Sequence, residues 1–207
     1  ELPPEGGAKA IGRGHVVVAK NIQDGQRRAA RQRIPGVRVR VQETARGVVV
    51  VYTPSGNNVT TAGHAIALRV ALARHIPQAT ASMKAGKWEK TAFTGMELSN
   101  RTLGVIGLGN IGRVVAQKAQ GLGMRVIAFD PHLPDDIAAK LDVDLVDFDT
   151  LLARADAITV HVPKTKDTAG LLGAAAFAKS RRGLLVVNAA RGGIVDEKAL
   201  LAALESG

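Results

Sequence analysis

Cysteine is missing from the chain altogether, which excludes disulfide bonds and thiol chemistry. Aromatic residues are nearly missing: four Phe, one Tyr and one Trp. None is interleaved with the arginines of residues 1–46, as a base-stacking nucleic-acid surface requires. No stretch is apolar and long enough to span a bilayer. The amino-terminal ELPPEGGAKA lacks the apolar segment of a signal peptide. The expectation is a soluble, cytoplasmic protein without a membrane partner. Acids are scarce beside bases, 18 against 28. Much of the imbalance lies in residues 1–46, where ten Lys and Arg face four Asp and Glu. A basic arm of that kind can bind nucleic acid, but no recognisable nucleic-acid module accompanies it. The arginine-rich segment 25–41 therefore reads as solvated chain, and no nucleic-acid partner is expected. The many Asp between 130 and 156 show no metal-ligand spacing, so no metal site is expected. No G-x-S-x-G nucleophile motif occurs. What remains is a chain of 207 residues, 46% hydrophobic and 22% charged, enough for one sizeable core, or one domain and part of a second.

The rest is organised around Leu103 to Asp130, LGVIGLGNIGRVVAQKAQGLGMRVIAFD. Leu103 to Ile106 reads as a buried parallel strand. Gly107, Gly109 and Gly112 then set the G-x-G-x-x-G spacing. Gly107 permits a tight turn, Gly109 lets backbone approach a pyrophosphate, and Gly112 lets a helix pack close to the strand. The helix runs to about Leu122 and closes at Gly123, a C-cap. Its N-terminus offers free N–H groups and a positive dipole end to phosphates. A second strand, Arg125 to Phe129, ends in Asp130, eighteen residues after Gly112. A carboxylate there accepts bonds from the adenosine ribose hydroxyls and repels the 2′-phosphate of NADP. A lone glycine motif is an ordinary strand–turn–helix as often as a ligand site. Here strand, glycines, helix, second strand and acid stand in the order that dinucleotide binding needs. NAD is the expected cofactor.

Along the chain, a strand is expected within Ala10 to Val18, and weak helical character from Gly25 to Pro35 with a strand after it. Gly47 to Val51 is a further expected strand, and Tyr52 to Asn58 a loop. Thr60 is an expected N-cap of one long helix to Ile76. Its wide apolar arc predicts a mostly buried helix in a domain linker or subunit contact. A short helix follows from Pro77 to about Lys84, then a loop over Lys87 to Leu98. Beyond Asp130 come helix Asp135–Leu141, strand Asp142–Val146, a helix opened by Asp149–Ala153, strand Ala157–Val160, helix Ala174–Ser180, strand Leu184–Asn188 and helix Glu197–Glu205. Such alternation predicts an α/β fold, a doubly wound parallel sheet. Residues 55–207 are expected to form the dinucleotide-binding domain, and residues 1–54 part of a second.

Ligands of such sheets bind beyond the carboxyl ends of the strands, here Gly107–Gly112, Asp130, His161–Thr168 and Asn188–Gly193. Arg191, on a turn loosened by Gly192 and Gly193, can grip a carboxylate bidentately. The alternative is a structural Arg paired with Asp196 or Glu197. His161 can be read as a general acid or as a cleft-wall histidine without a chemical role. His64 and His75 read as packing or surface residues.

Taken together, TPSGNNVTTAGHAIALRVALARHIPQATASMKAGKWEK, LGVIGLGNIGR, FDP, ADAITVHVPKT and VNAARGGIVDEKALLAALESG resemble the NAD-dependent D-2-hydroxyacid dehydrogenase family. They are most similar to its members that oxidise 3-phospho-D-glycerate, a step of serine biosynthesis. The resemblance covers Gly47 to Gly207 and implies a Rossmann-type NAD-binding domain and a small 2-hydroxy acid substrate. It makes Arg191 the substrate-binding catalytic arginine. It makes Asn110, Ile111, Asp130, Val162, Thr168, Ala189, Ala190 and Arg191 NAD contacts, with Gly107, Gly109, Gly112, His161 and Pro163 completing the cofactor site. The helix from Thr60 is implied to build a homodimer. The family's catalytic histidine and its glutamate lie beyond the stretch matching LLAALESG, where these 207 residues stop. Departures also occur upstream: His15 and Val17 stand where glycines are usual, Tyr52 for an asparagine and Gly63 for a glutamate. The expectation is therefore weak dehydrogenase activity from these residues alone, or a non-catalytic NAD-binding module.

Overall fold

The computed structural model describes residues 9–11, 16–18, 38–40, 50–52 and 56–207. The chain divides into two compact units, Glu1–Asn57 and Asn58–Gly207. In the first, strands β1 (Lys9–Ile11) and β2 (Val16–Val18) pair antiparallel, as do β3 (Arg38–Arg40) and β4 (Val50–Tyr52). The strand expected within Ala10 to Val18 is β2, and β1, at the start of that span, pairs with its backbone groups. The expected helical character between Gly25 and Pro35 falls outside the described residues.

The second unit is a three-layer α/β domain. Its five parallel strands are β5 (Thr102–Ile106), β6 (Arg125–Phe129), β7 (Asp144–Leu145), β8 (Ala157–Val160) and β9 (Leu185–Asn188), in the order β7-β6-β5-β8-β9. β5 and β8 are buried on both faces, which is why they read as unbroken apolar runs. Seven helices accompany the sheet: α1 (Asn58–Ala73), α2 (Ile76–Lys84), α3 (Asn110–Gln120), α4 (Asp135–Ala139), α5 (Phe148–Arg154), α6 (Ala174–Lys179) and α7 (Glu197–Ser206).

The winding follows from right-handed crossovers. From β5 through β6 to β7 the chain advances one way, and α3 and α4 cover one face. Val115, Ala116, Ala119 and Ala138 pack there on Leu103, Val105, Val126 and Ala128. At β8 it returns to the other side of β5 and then advances the opposite way. The same handedness puts α5 and α6 on the opposite face, where Leu151, Leu152 and Ala176 meet Ile106, Ile127, Ile158 and Val160. The direction reverses between β5 and β8. The crevice beyond their carboxyl ends is where such sheets hold ligands.

α1 lies on the first face, against α3 and β9. Its inward stripe is Ala62, Ala65, Arg69 and Ala73, three small residues that permit close packing and one arginine. This corrects two expectations. The helix begins at Asn58, so Thr60 is not its cap, and it does not run unbroken to Ile76. A continuous helix would drive the Pro77 ring into the Ala73 carbonyl. The chain breaks instead at Arg74 and His75, with His75 in the left-handed region at φ 52°, and α2 starts anew with Pro77 in its first turn. The freed Ala73 carbonyl accepts the Met96 N–H at 2.7 Å. Burial is also one-sided, since Leu68 and Leu72 remain about 40% exposed. The Lys87–Leu98 loop holds a 3₁₀ turn, Lys90–Phe93. α3 closes as expected: Met124 donates to the Ala119 carbonyl and Gly123, at φ 75°, to that of Gln120.

Candidate functional site

The three glycines of the motif are each required by a different neighbour. Gly107 leaves β5 at φ 89°. A Cβ there would lie 2.6 Å from Val162 Cγ1 and 3.1 Å from the His161 backbone. The turn after β5 is therefore wedged against the turn after β8. At Gly112 a Cβ would strike the Gly107 carbonyl, so the first turn of α3 can sit on the strand end only without a side chain. Around Gly109 the space is open to 4 Å. It precedes α3 without a side-chain cap, leaving the first N–H groups of an eleven-residue helix aimed outward. A bare backbone, open space and a positive helix end fit a pyrophosphate.

Two side chains brace this loop. Asp130 Oδ2 accepts the Leu108 N–H at 2.9 Å, and its Oδ1 accepts the His132 N–H at 3.1 Å. Arg113 donates from Nε to the Leu108 carbonyl at 3.0 Å. Asp130 therefore has a second job beside the ribose contact expected of it: it ties the end of β6 to the glycine turn. Each carboxylate oxygen keeps a lone pair for a ligand hydroxyl. Neither the Asp130 tie nor the part played by Arg113 was legible in the motif.

Beyond β8, His161 is half-buried. Its Nε2 stands 2.9 Å from Thr159 Oγ1. Burial, and then the charge of Arg69, push its pKa down to about 4. At neutral pH it is an uncharged cleft-wall imidazole with one nitrogen already engaged, and its proton is not on offer for acid catalysis. Val162 packs at the Gly107 turn and Pro163 is exposed. Thr168 donates to the Pro163 carbonyl at 2.6 Å and accepts the Thr165 N–H at 2.7 Å. Its hydroxyl thus shapes the loop: with Thr165 Oγ1 at 3.1 Å, all three of its partners are protein atoms.

Beyond β9, Asn188 folds the next turn. Its Nδ2 donates to the Arg191 carbonyl at 2.9 Å and its Oδ1 accepts the Ala190 N–H at 3.1 Å. Ala189 and Ala190 are half-buried and Arg191 is exposed. Arg191 Nη1 bonds only the Ala190 carbonyl, at 2.9 Å. Asp196 instead caps α7, accepting the N–H groups of Lys198 and Ala199. A structural pairing of Arg191 with Asp196 or Glu197 is absent among the described residues, and most of its guanidinium donors remain for a ligand. The β8 and β9 turns are joined: Gly170 donates to the Gly193 carbonyl at 2.9 Å, and Lys164 lies across Gly193, within 2.6 Å of where a Cβ would stand.

The glycine loop, Asp130, His161 and Val162 are thus in one place, with the Ala189–Arg191 turn reached through Lys164 and Gly193. Two hollows lie elsewhere. One of about 530 Å³ is lined by Ala138, Val143, Leu145 and Arg154, and one of about 170 Å³ by Met83, Trp88 and Phe93. Neither includes a glycine-loop residue. No group of three or more metal-ligating side chains occurs among the described residues.

The His161 environment makes acid sensitivity an expected outcome. An unfolded histidine titrates near 6.5, and the folded one near 4. Between those values the unfolded chain binds the extra proton, so stability falls as pH falls. The loss is on the order of 2–3 kcal/mol by pH 4. Urea melts at pH 7 and pH 4.5 should show it, and His161→Asn should flatten that slope. An unchanged slope would remove His161 as the cause.

The family model for the NAD-binding domain of D-isomer specific 2-hydroxyacid dehydrogenases matches residues 66–207. A D-3-phosphoglycerate dehydrogenase of Archaeoglobus fulgidus is 56% identical over 164 residues, covering 79% of this chain and 31% of that protein. Among solved structures, the apo D-lactate dehydrogenase of Escherichia coli superposes with TM-score 0.70 at 35% identity, over 72% of this chain and 47% of that one. An NAD-dependent formate dehydrogenase of Staphylococcus aureus, in complex with NAD, superposes with TM-score 0.66 at 30% identity, over 72% and 45%. These 207 residues span about a third of the curated relative and under half of each solved chain.

Proposed function

This chain belongs to the D-isomer specific 2-hydroxyacid dehydrogenases, of which it carries the NAD-binding domain, and on that premise we propose that the protein oxidises a D-2-hydroxy acid to the 2-oxo acid. NAD supplies the hydride acceptor. The observation that carries the reading is the pairing of a bare glycine loop at the β5–β8 crevice with an Arg191 guanidinium that no carboxylate occupies. Arg191 holds the substrate carboxylate and, staying protonated, withdraws charge from the adjacent oxygen as the carbonyl forms. The Gly107, Gly109 and Gly112 backbone and the α3 N-terminus hold the pyrophosphate. Asp130 takes the ribose. Asn110, Ile111, His161, Val162, Pro163, Thr168, Ala189 and Ala190 line the remaining groove.

We assign 3-phospho-D-glycerate as substrate and 3-phosphohydroxypyruvate as product. Similarity to phosphoglycerate dehydrogenases supports this, and so does Lys164, a cation beside the Arg191 turn. A homodimer through α1 belongs to the same proposal. Val59, Leu68, Leu72 and Ile76 are exposed hydrophobics of α1 and the start of α2, and sedimentation equilibrium reports the mass. A cytoplasmic location, where the cofactor is plentiful, completes it. One observation favours a second reading, an NAD-binding module without catalysis: His161 is neutral and hydrogen-bonded, and among the described residues His132 meets the groove only through its backbone N–H, on Asp130.

Cofactor choice tests the reading. Calorimetric titration should show NAD binding more tightly than NADP, because Asp130 meets a 2′-phosphate with like charge. In Asp130→Ala the preference should shrink by about tenfold, the scale of one hydrogen bond to a charged group. NAD itself should also bind less tightly, since Leu108 loses its acceptor. Equal or tighter NADP binding by the parent chain would sink the assignment.

A further inference from the structure

Arg69 sits on the inward stripe of α1 with none of its surface exposed. Its Nε, Nη1 and Nη2 have no hydrogen-bond partner. Burying an ion without a partner costs several kcal/mol, and the group does not escape by losing its proton. Burial lowers its pKa only to about 10, so it stays charged at neutral pH. The ion pairs among the described residues use Arg74, Arg101, Lys140, Lys179 and Arg181, and none reaches Arg69.

A second unmatched group lies nearby. His161 Nδ1 is buried without a partner, while Nε2 is engaged by Thr159 Oγ1. Arg69 contributes to the depressed pKa of His161, which places the two within electrostatic reach. When the Thr159 hydroxyl donates to Nε2, the neutral ring carries its hydrogen on Nδ1. The guanidinium N–H groups and Nδ1–H are then all donors, they carry one full positive charge between them, and they are closed off from water. Buried donors of that kind are satisfied by an acceptor of opposite charge.

We propose that α1 and the end of β8 enclose a site for a single small monovalent anion of chloride size, held by the Arg69 guanidinium and the Nδ1–H of His161. The ion neutralises the buried charge and fixes the tautomer of His161, and through it the wall of the crevice. A small carboxylate shares this chemistry, and the arms below separate the two. The site is formed by the fold, so the ion binds the folded chain and stabilises it by mass action.

The test is thermal melting of the full 207-residue chain at pH 7.5 and fixed ionic strength, with sodium gluconate replaced stepwise by chloride, bromide or formate. Chloride and bromide should each raise Tm by about 3–5 °C per tenfold increase above their dissociation constants. Arg69→Met should melt higher than the parent in gluconate and respond to neither halide. Crystals grown in bromide should show an anomalous peak between Arg69 and His161, a result that does not depend on the variant folding. A parent chain indifferent to halides, an equal halide response in Arg69→Met, or a response to formate alone would each overturn the site.

Discussion

Gly112→Ala should abolish measurable NAD binding and destabilise the second unit by about 1–3 kcal/mol, the usual cost of overpacking. A Cβ at this position runs into the Gly107 carbonyl. Gly107 has nowhere to retreat. Its own Cβ position is filled by Val162 and the His161 backbone, and its N–H is bound to the Phe129 carbonyl at 2.9 Å. The start of α3 must therefore tilt away from β5, carrying its N–H groups off the crevice. Loss of that donor array at a helix N-terminus removes the main phosphate contact. Gly109→Ala is the matched control. Its Cβ meets nothing in the free chain, so stability should hold while NAD affinity drops by at least tenfold through collision with the ligand. Urea melts and calorimetry separate the two variants. Equal stability loss in both would mean that the glycine loop is not wedged as described.

Dehydrogenase turnover by these 207 residues alone should be on the order of a hundred- to ten-thousand-fold below that of a full-length relative, the contribution of a positioned acid–base group. Removing hydride from a hydroxy acid requires a base for the hydroxyl proton. Arg191 cannot serve, because a guanidinium keeps its proton. His161 is unprotonated at neutral pH, but Nε2 is tied to Thr159 and Nδ1 is buried, out of a substrate's reach. A steady-state assay with 3-phosphoglycerate and NAD, beside Arg191→Ala, checks this. Robust turnover that vanishes in Arg191→Ala would show that a group of this chain supplies the base, and His161→Asn would identify it or clear it.

The chemistry at the strand ends was legible because it rests on local rules. Gly107, Gly109 and Gly112 announce themselves by spacing, and unbroken apolar runs mark strands buried on both faces. What the sequence hides is non-local. Arg69 interrupts an apolar stripe, and periodicity alone treats an arginine as solvent-facing; its burial follows from how α1 lies on the sheet. Asp130 looks like a ligand acid at the end of a strand. That it also carries the Leu108 N–H depends on β5 and β6 being neighbours. The end of α1 is hidden because Ile76 fits the helical pattern, while the clash that stops the helix arises between Pro77 and Ala73, four residues earlier. Asn188 resembles the last residue of a strand, yet it builds the turn that presents Arg191.

The central claim is that the cofactor lies across the crevice between β5 and β8, and amide chemical-shift mapping during an NAD titration tests it most directly. The predicted result is saturable change at Leu108–Arg113, Asp130–His132, His161–Thr168 and Ala189–Gly193, with one dissociation constant common to all four segments. Changes confined to the hollow around Ala138 and Val143, or no change at the glycine loop at saturation, would contradict the account.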